Sequence, residues 1–304
     1  MSGSSRTKGK VMSVASNRSE LPATPGAVGA LRFRPLSPNI GVEVQGIDLR
    51  QPMDEATFRA IEAAWHANCI IFFRDQKLDE DEQVAFTSRF GPLAQVLNRH
   101  GGASKHHPGV MFVSNIRENG ELIGALPDGE MMFHSDQCYI ERPCYATLLY
   151  AIEIPKQGGN TLFANMYKAY EALPAAIKTR LQGMYAEHVY DYGNAPTQKG
   201  AVTEAARRYA HPVFRTHPAA GKKALYVNRL MTDHIIGMER AESDQILAML
   251  FDVIENPAWI YEHKWRIGDL LMWDNRCTTH ARTDFDVAER RLLRRSVVLG
   301  EKPY

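Results

Sequence analysis

The sequence predicts a mainly β protein, a β-sandwich or jelly roll with helices packed outside, on three observations. Many short apolar runs are bounded by Gly, Pro, Asn and Asp, the pattern of brief strands. The helical patterns gather in the N-terminal part and in insertions between those runs. Strand–helix alternation of the βαβ kind is absent, as is any GxGxxG or GxxxxGK[ST] motif, which argues against a nucleotide-binding doubly wound sheet.

Taken in order, residues 1–29 are rich in Ser, Gly, Arg and Lys and lack the apolar core of a signal peptide. They read as a disordered tail, with a single domain over 30–304. Leu31 to Leu49 alternates weakly, with Gly and Pro punctuation, and reads as short antiparallel strands. Asp54 is the expected N-cap of a helix carrying Phe58, Ile61 and Trp65 on one face. Cys69–Phe73 follows as a buried strand. Asp79 caps a second helix with Glu82 in the capping-box position and Gly91 as its stop. Strands are expected at Thr147–Ile154 and Thr161–Ala164, a helix around Lys168–Leu173, and another after Glu242 carrying Ile246, Met249, Leu250 and Val253. Trp259–Trp265, Asp269–Trp273 and Leu292–Leu299 return to β.

Of 304 residues, 44% are apolar and 23% charged, ordinary values for a globular protein. The 36 basic and 35 acidic residues leave a net charge of +1, with no excess field for a nucleic acid or an anionic membrane. No apolar stretch approaches the ~20 residues of a membrane helix. Cys69, Cys138, Cys144 and Cys277 lack CxxC spacing, which predicts free thiols in a reducing, cytoplasmic setting. Cys138 and Cys144 are expected to be packing residues in a strand region.

His134-Ser135-Asp136 is the one place where a histidine precedes a carboxylate by two residues. Composition alone produces about one such triplet, so the pair is weak by itself. In a strand, positions i and i+2 share a face, so the imidazole and carboxylate can converge on one ion. A second histidine would complete the two-His-one-carboxylate face suited to Fe(II). His280 is the best candidate, delivered to a sheet end by the turn, apolar strand and polar exit of Gly268–Asn275. Downstream, Arg291, Leu293 and Arg295 share one strand face, and Arg290, Leu292 and Arg294 the other. Two inward guanidiniums near a metal would call for anionic ligands. Four arginines on an exposed edge strand are the equal alternative.

Several motifs together resemble the taurine dioxygenase / 2,4-dichlorophenoxyacetate dioxygenase family. They are Trp273-Asp274-Asn275-Arg276 followed by His280, then Arg291 and Arg295, the His134/Asp136 pair, and Gly158-Gly159-Asn160-Thr161-Leu162-Phe163. Phe72-Phe73-Arg74-Asp75-Gln76, Arg89-Phe90-Gly91, Arg215-Thr216-His217-Pro218 and Leu225-Tyr226-Val227-Asn228 match as well, and the likeness runs from about Leu31 to Tyr304.

The resemblance implies a double-stranded β-helix (jelly roll, cupin-like) and an Fe(II)- and 2-oxoglutarate-dependent dioxygenase that consumes O2 and releases succinate and CO2. It implies iron ligation by His134, Asp136 and His280, and capture of the distal carboxylate of 2-oxoglutarate by Thr161 and Arg291. It places Arg295 against the acidic group of a small organic substrate. Val96 stands where the taurine enzyme carries a sulfonate-binding histidine, Glu130 where it has a pocket asparagine, and Tyr190 and Tyr226 in place of two pocket phenylalanines. An aryloxyalkanoate or related carboxylate is the expected substrate, with taurine or another alkylsulfonate as the alternative. A non-catalytic jelly-roll binder and a zinc hydrolase are the competing classes. A homo-oligomer is expected.

Overall fold

The computed structural model describes residues 31–95, 106–124, 131–190 and 204–304, so the tail expected over 1–29 lies outside the described residues. Two short strands, β1 (Arg32–Pro35) and β2 (Val42–Gln45), pair antiparallel. Asp54 then caps α1 (Glu55–Asn68), accepting from the Thr57 N–H at 2.7 Å, and Phe58, Ile61 and Trp65 are buried along one face. Cys69 ends the helix in the left-handed region, and β3 (Ile70–Phe73) follows. Asp79 and Glu82 form the reciprocal capping box of α2 (Glu80–Ser88). That helix ends at Ser88 rather than running to Gly91, because successive i→i−3 bonds tighten the chain from Arg89 to Gly91.

The chain continues through β4 (Val110–Ser114), a small hairpin of β5 (Arg117–Glu118) and β6 (Glu121–Leu122), β7 (Met131–His134), β8 (Ala146–Glu153) and β9 (Thr161–Asn165). Two short helices come next, α3 (Met166–Ala172) and α4 (Ala175–Leu181). Then come β10 (Tyr185–Tyr190), β11 (Arg207–Pro212), β12 (Phe214–Thr216), β13 (Lys223–Leu225) and β14 (Thr232–Ile235). After α5 (Arg240–Ile254) the chain closes with β15 (Ile260–His263), β16 (Leu270–Asp274), β17 (Thr278–Arg282) and β18 (Leu292–Val298). Cys138 and Cys144 are buried and free, but they lie in the connection between β7 and β8, not in a strand.

Two sheets carry the architecture. The larger runs β1-β2-β3-β16-β8-β18-β4 and the smaller β15-β9-β17-β7. The larger sheet is apolar on both faces, which explains its unbroken hydrophobic runs. Ile70, Phe72, Leu149, Ala151, Leu271, Trp273 and Leu293 face a core shared with Phe133, Phe163, Ala164 and Ala281 of the smaller sheet. Their neighbours Ile71, Phe73, Leu148, Tyr150, Leu270 and Met272 face the other way, against Phe58, Ile61, Trp65 and Phe86 of α1 and α2. The result is a jelly-roll sandwich with helices outside. β18 pairs with β8 on one side and β4 on the other, so its arginines do not decorate an exposed edge. Arg294 turns to the helical face, bonding Gln83 Oε1 at 2.8 Å and the Leu78 and Asp79 carbonyls at 2.7 Å.

A third, small sheet, β11-β10-β14, holds two buried histidines, His188 and His211, whose rings lie 5.7 Å apart. Burial is the main cause holding both neutral, with His188 pushed down to about 3 and His211 to about 4. Unfolded histidine titrates near 6.5, so below that pH the unfolded chain takes up protons that the folded chain refuses. Stability is therefore full above about pH 6.5 and falls as pH drops toward 4, by about 2–3 kcal/mol per pH unit from this pair. Urea unfolding at pH 7 and pH 5 should show a smaller loss in His188→Gln than in the wild type. An unchanged slope would mean that the pair does not set the acid limit.

Candidate metal centre

The register of β17 brings the centre together. This strand lies between β7 and β9, with His280 opposite His134 on one side and Phe163 on the other. His280 is therefore mid-strand, not at a sheet end as its polar exit predicted. His134 is the last residue of β7, and Asp136 lies in the turn beyond, where Gln137 adopts φ 57°. The carboxylate reaches the imidazole by that turn rather than by strand alternation. One potential ligand atom from each of His134, Asp136 and His280 falls within 4.8 Å of the others, and the two imidazoles are 4.1 Å apart.

Each group has an environment suited to a ligand. His134 Nδ1 meets the Met132 carbonyl at 2.9 Å, so that nitrogen carries the proton and Nε2 keeps its lone pair. His280 packs against Trp273 and Phe163, and its buried Nδ1 has no hydrogen-bond partner. Burial lowers the pKa of both histidines, which favours the neutral form that binds metal. Burial opposes ionisation of Asp136, but the Arg295 charge, helped by the Thr147 hydrogen bond, outweighs it and holds the carboxyl well below the usual carboxylate range. The Thr147 hydroxyl donates to Asp136 Oδ2 at 2.7 Å, and Arg295 Nη2 faces Oδ1 at 2.7 Å.

Two other groupings of potential ligands occur among the described residues, and in each the carboxylate is already held in ion pairs. Asp274 is bonded by His217 at 2.8 Å and clasped by Arg276 through both carboxylate oxygens. Asp233 is paired with Arg240 and His234 at the surface.

The same sheet carries a second feature. Arg282 faces Thr161 across β17 and β9, two residues beyond His280 on the same strand. Thr161 is buried, and Trp265 Nε1 donates to its hydroxyl at 3.1 Å. That bond occupies an acceptor position and leaves the threonine's own proton to be donated elsewhere. Arg291, just ahead of β18, is only 2% exposed. Its Nε and Nη2 reach the Gly159 carbonyl at 3.2 and 3.1 Å, and its buried Nη1 has no partner. No described carboxylate pairs with it, and burial together with the Arg282 charge lowers it to about 9, still cationic at neutral pH. A buried cation without a counter-charge is costly unless an anion arrives.

Arg295 points to the same face as Arg291 but is reachable, with 19% of its side chain exposed. Tyr190 stacks on Tyr139 at 4.8 Å. Tyr226 is 3% exposed, enclosed by the His188 and His211 rings and by Arg215, whose guanidinium carbon sits 4.8 Å from the ring centre. Tyr139, Tyr190 and Tyr226 belong to one apolar cluster that also packs Met131 and Met132 of β7, the strand bearing His134. Val96 and Glu130 lie outside the described residues. Ahead of β4, His106 pairs with Glu80 and the His107 backbone N–H bonds the same carboxylate. Thr147, Tyr139 and Arg282 are neighbours that the sequence reading passed over.

Comparison with known proteins follows the same line. The family model "Taurine catabolism dioxygenase TauD, TfdA family" matches residues 32–297. The chain is 32% identical over 282 residues to an alpha-ketoglutarate-dependent 2,4-dichlorophenoxyacetate dioxygenase of Cupriavidus pinatubonensis, covering 88% of this chain and 97% of that one. It is 31% identical over 292 residues to an (S)-phenoxypropionate/alpha-ketoglutarate-dioxygenase of Sphingobium herbicidovorans, covering 90% and 96%. A solved taurine dioxygenase from Burkholderia xenovorans superposes with a TM-score of 0.76 at 30% identity, covering 90% of this chain and 93% of that chain.

The glycine pair ahead of Thr161 shapes the Arg291 pocket. Gly158 and Gly159 adopt φ +74° and +63°, and a Cβ on Gly159 would stand 2.9 Å from Pro155 Cγ and 3.2 Å from Arg291 Nε. Gly159→Ala should therefore destabilise the protein by about 1–3 kcal/mol. Urea denaturation measures it, and a wild-type midpoint would show that this loop gives way freely.

Proposed function

The chain belongs to the TauD, TfdA family and is an Fe(II)- and 2-oxoglutarate-dependent dioxygenase, and on that premise we propose which residues serve the reaction and which substrate it takes. His134 Nε2, Asp136 Oδ1 and His280 hold the iron. The donor set fits: two neutral imidazoles and one ionised carboxylate suit Fe(II) and leave coordination positions open. Thr161 and Arg291 hold the distal carboxylate of 2-oxoglutarate. This reading is carried by one observation, the buried Arg291 guanidinium that no described carboxylate neutralises, reaching from just ahead of β18 to Gly159 at the start of the smaller sheet that carries the histidines. A zinc hydrolase would have no need of that charge.

When bound, Fe(II) and 2-oxoglutarate supply O2 activation with oxidative decarboxylation to succinate and CO2, and delivery of oxygen to a substrate C–H bond. The protein's residues orient and enclose. Met132 fixes the His134 tautomer, Thr147 and Arg295 fix the carboxylate of Asp136, and Trp273 and Phe163 wall His280 from water. The Thr161 hydroxyl proton and the free Arg291 Nη1 would anchor the cosubstrate's far carboxylate.

The substrate is a small organic acid with an aryl or extended apolar body. Arg295 meets its acidic group, having donors to spare beyond its pairing with Asp136. Tyr190, stacked on Tyr139, offers flat apolar area beside β7, whereas the expected contact at Tyr226 is closed off by its enclosure among His188, His211 and Arg215. The relatives named for 2,4-dichlorophenoxyacetate and (S)-phenoxypropionate support an aryloxyalkanoate. Where the hydroxylated carbon bears an ether oxygen, the hemiacetal product collapses and hydroxylation becomes cleavage. The four cysteines are free and buried, which supports a reducing, cytoplasmic setting.

Arg291→Leu should weaken 2-oxoglutarate binding at least tenfold, since losing a charge-assisted pair in a buried site costs on the order of 2–5 kcal/mol. The ligand-free variant should be no less stable than the wild type, because a buried uncompensated cation has been removed. An unchanged 2-oxoglutarate requirement contradicts the assignment.

The substrate reading is tested by succinate formation with aryloxyalkanoates, alkylsulfonates and a neutral amide of the best acid. The acid should turn over and the amide should not, and Arg295→Gln should narrow that gap. Equal turnover of acid and amide by the wild type would remove the anion requirement, and preference for an alkylsulfonate would move the substrate class.

A further inference from the structure

Asp136 is anchored by a chain of hydrogen bonds whose direction can be read atom by atom. Trp273 Nε1 can only donate, and it meets Asn275 at 3.0 Å, so the Asn275 atom facing it is Oδ1. That fixes the other end of the amide. Asn275 Nδ2 faces the Thr147 hydroxyl at 2.9 Å and donates to it. With that lone pair engaged, the threonine's own proton is directed to Asp136 Oδ2 at 2.7 Å. Trp273, Asn275 and Thr147 are all buried, so no water competes for these groups. The Trp273 ring meanwhile packs on the His280 imidazole, 4.7 Å between centroids and tilted by 53°.

The polarity of this chain has a consequence for the carboxylate. Oδ2 is committed to Thr147, and the remaining oxygen, Oδ1, is the one turned toward Arg295. A carboxylate free to rotate could present either oxygen, or both, to a metal. One with Oδ2 tied into a buried strand presents a single oxygen in a fixed direction. The anchor comes from the opposite sheet: Thr147 lies in β8 and is the register partner of Trp273 in β16, whereas Asp136 follows β7 of the smaller sheet. The relay therefore ties the carboxylate turn to the larger sheet, and its far end touches the second histidine.

We propose that Thr147 and Asn275 are positioning residues that hold Asp136 as a one-oxygen metal ligand through Oδ1 and, through Trp273, keep it in register with His280. The inference rests on the assignment of His134, Asp136 and His280 as the metal ligands. Thr147→Val keeps the shape of the side chain and deletes the donor, and Thr147→Ser restores the donor.

The test is anaerobic calorimetric titration of the full-length protein with Mn(II), without 2-oxoglutarate, together with the absorption spectrum of the Co(II)-loaded protein. Thr147→Val should bind Mn(II) about ten- to hundredfold more weakly and shift the Co(II) ligand-field bands, whereas Thr147→Ser should recover most of the affinity. A purely structural threonine would lower the melting temperature and leave both readouts alone. Wild-type affinity and spectrum in Thr147→Val overturn the proposal, as does a serine variant no better than valine. Asn275→Ala interrupts the same relay one step back and should weaken Mn(II) binding about tenfold. It decides the question if Thr147→Val does not fold, with wild-type affinity again contradicting the relay. Asp136→Ala separates the two levels. Loss of Mn(II) binding there with wild-type binding in Thr147→Val sinks the relay alone, and retained binding in Asp136→Ala sinks the ligand assignment beneath it.

Discussion

The pairing of His280 with His134 across β17 and β7 is the contact on which the site depends. It is a backbone register, set by hydrogen bonds and by the apolar face of the smaller sheet, and a slip of one residue would turn His280 away from the interior. The same strand fixes Thr161 through β9, so the two ends of a small ligand site are placed by one set of ladder bonds. Phe163 in β9 and Trp273 in β16 then close around His280 from both sheets, which makes the imidazole part of the core rather than an appendage of it.

Charge is arranged against stability in this interior. Asp136 is answered by Arg295 and Thr147, and Arg294 by backbone carbonyls and Gln83 on the helical side. Arg291 has only the Gly159 carbonyl. Its free Nη1 is the kind of buried unsatisfied group that natural cores avoid unless a ligand completes it. The glycine pair that lets the chain pass so close to Arg291 belongs to the same arrangement, since any side chain at Gly159 would crowd the guanidinium.

Much of this was legible in the sequence where the signal is local. Asp54 and Asp79 announce their helices because a cap needs only a side-chain oxygen and the next turn. β3, β8 and β16 announce themselves because strands buried on both faces are apolar at every position. The faces of Arg291, Arg294 and Arg295 follow from alternation, although Arg294 is buried against α2, which alternation cannot say. The β10–β11–β14 sheet was missed because its strands carry Glu, His and Arg among few aliphatics, and two of its buried positions are histidines. Thr147 gave no signal at all. A threonine in a strand is ordinary, and its role exists only because β8 lies beside the turn after β7. His134 and Asp136 do converge, but not by strand alternation: the turn at Gln137 brings the carboxylate round.

The central claim is that one interior site holds a metal at His134, Asp136 and His280 and an oxoacid between that metal and Arg291. A crystal structure of the protein grown anaerobically with Mn(II) and N-oxalylglycine tests it most directly. The account predicts Mn(II) bonded to His134 Nε2, Asp136 Oδ1 and His280, with the far carboxylate of the analogue between the Thr161 hydroxyl and Arg291 Nη1. Metal density on another residue set, or an analogue whose far carboxylate leaves Arg291 unpaired, would contradict it.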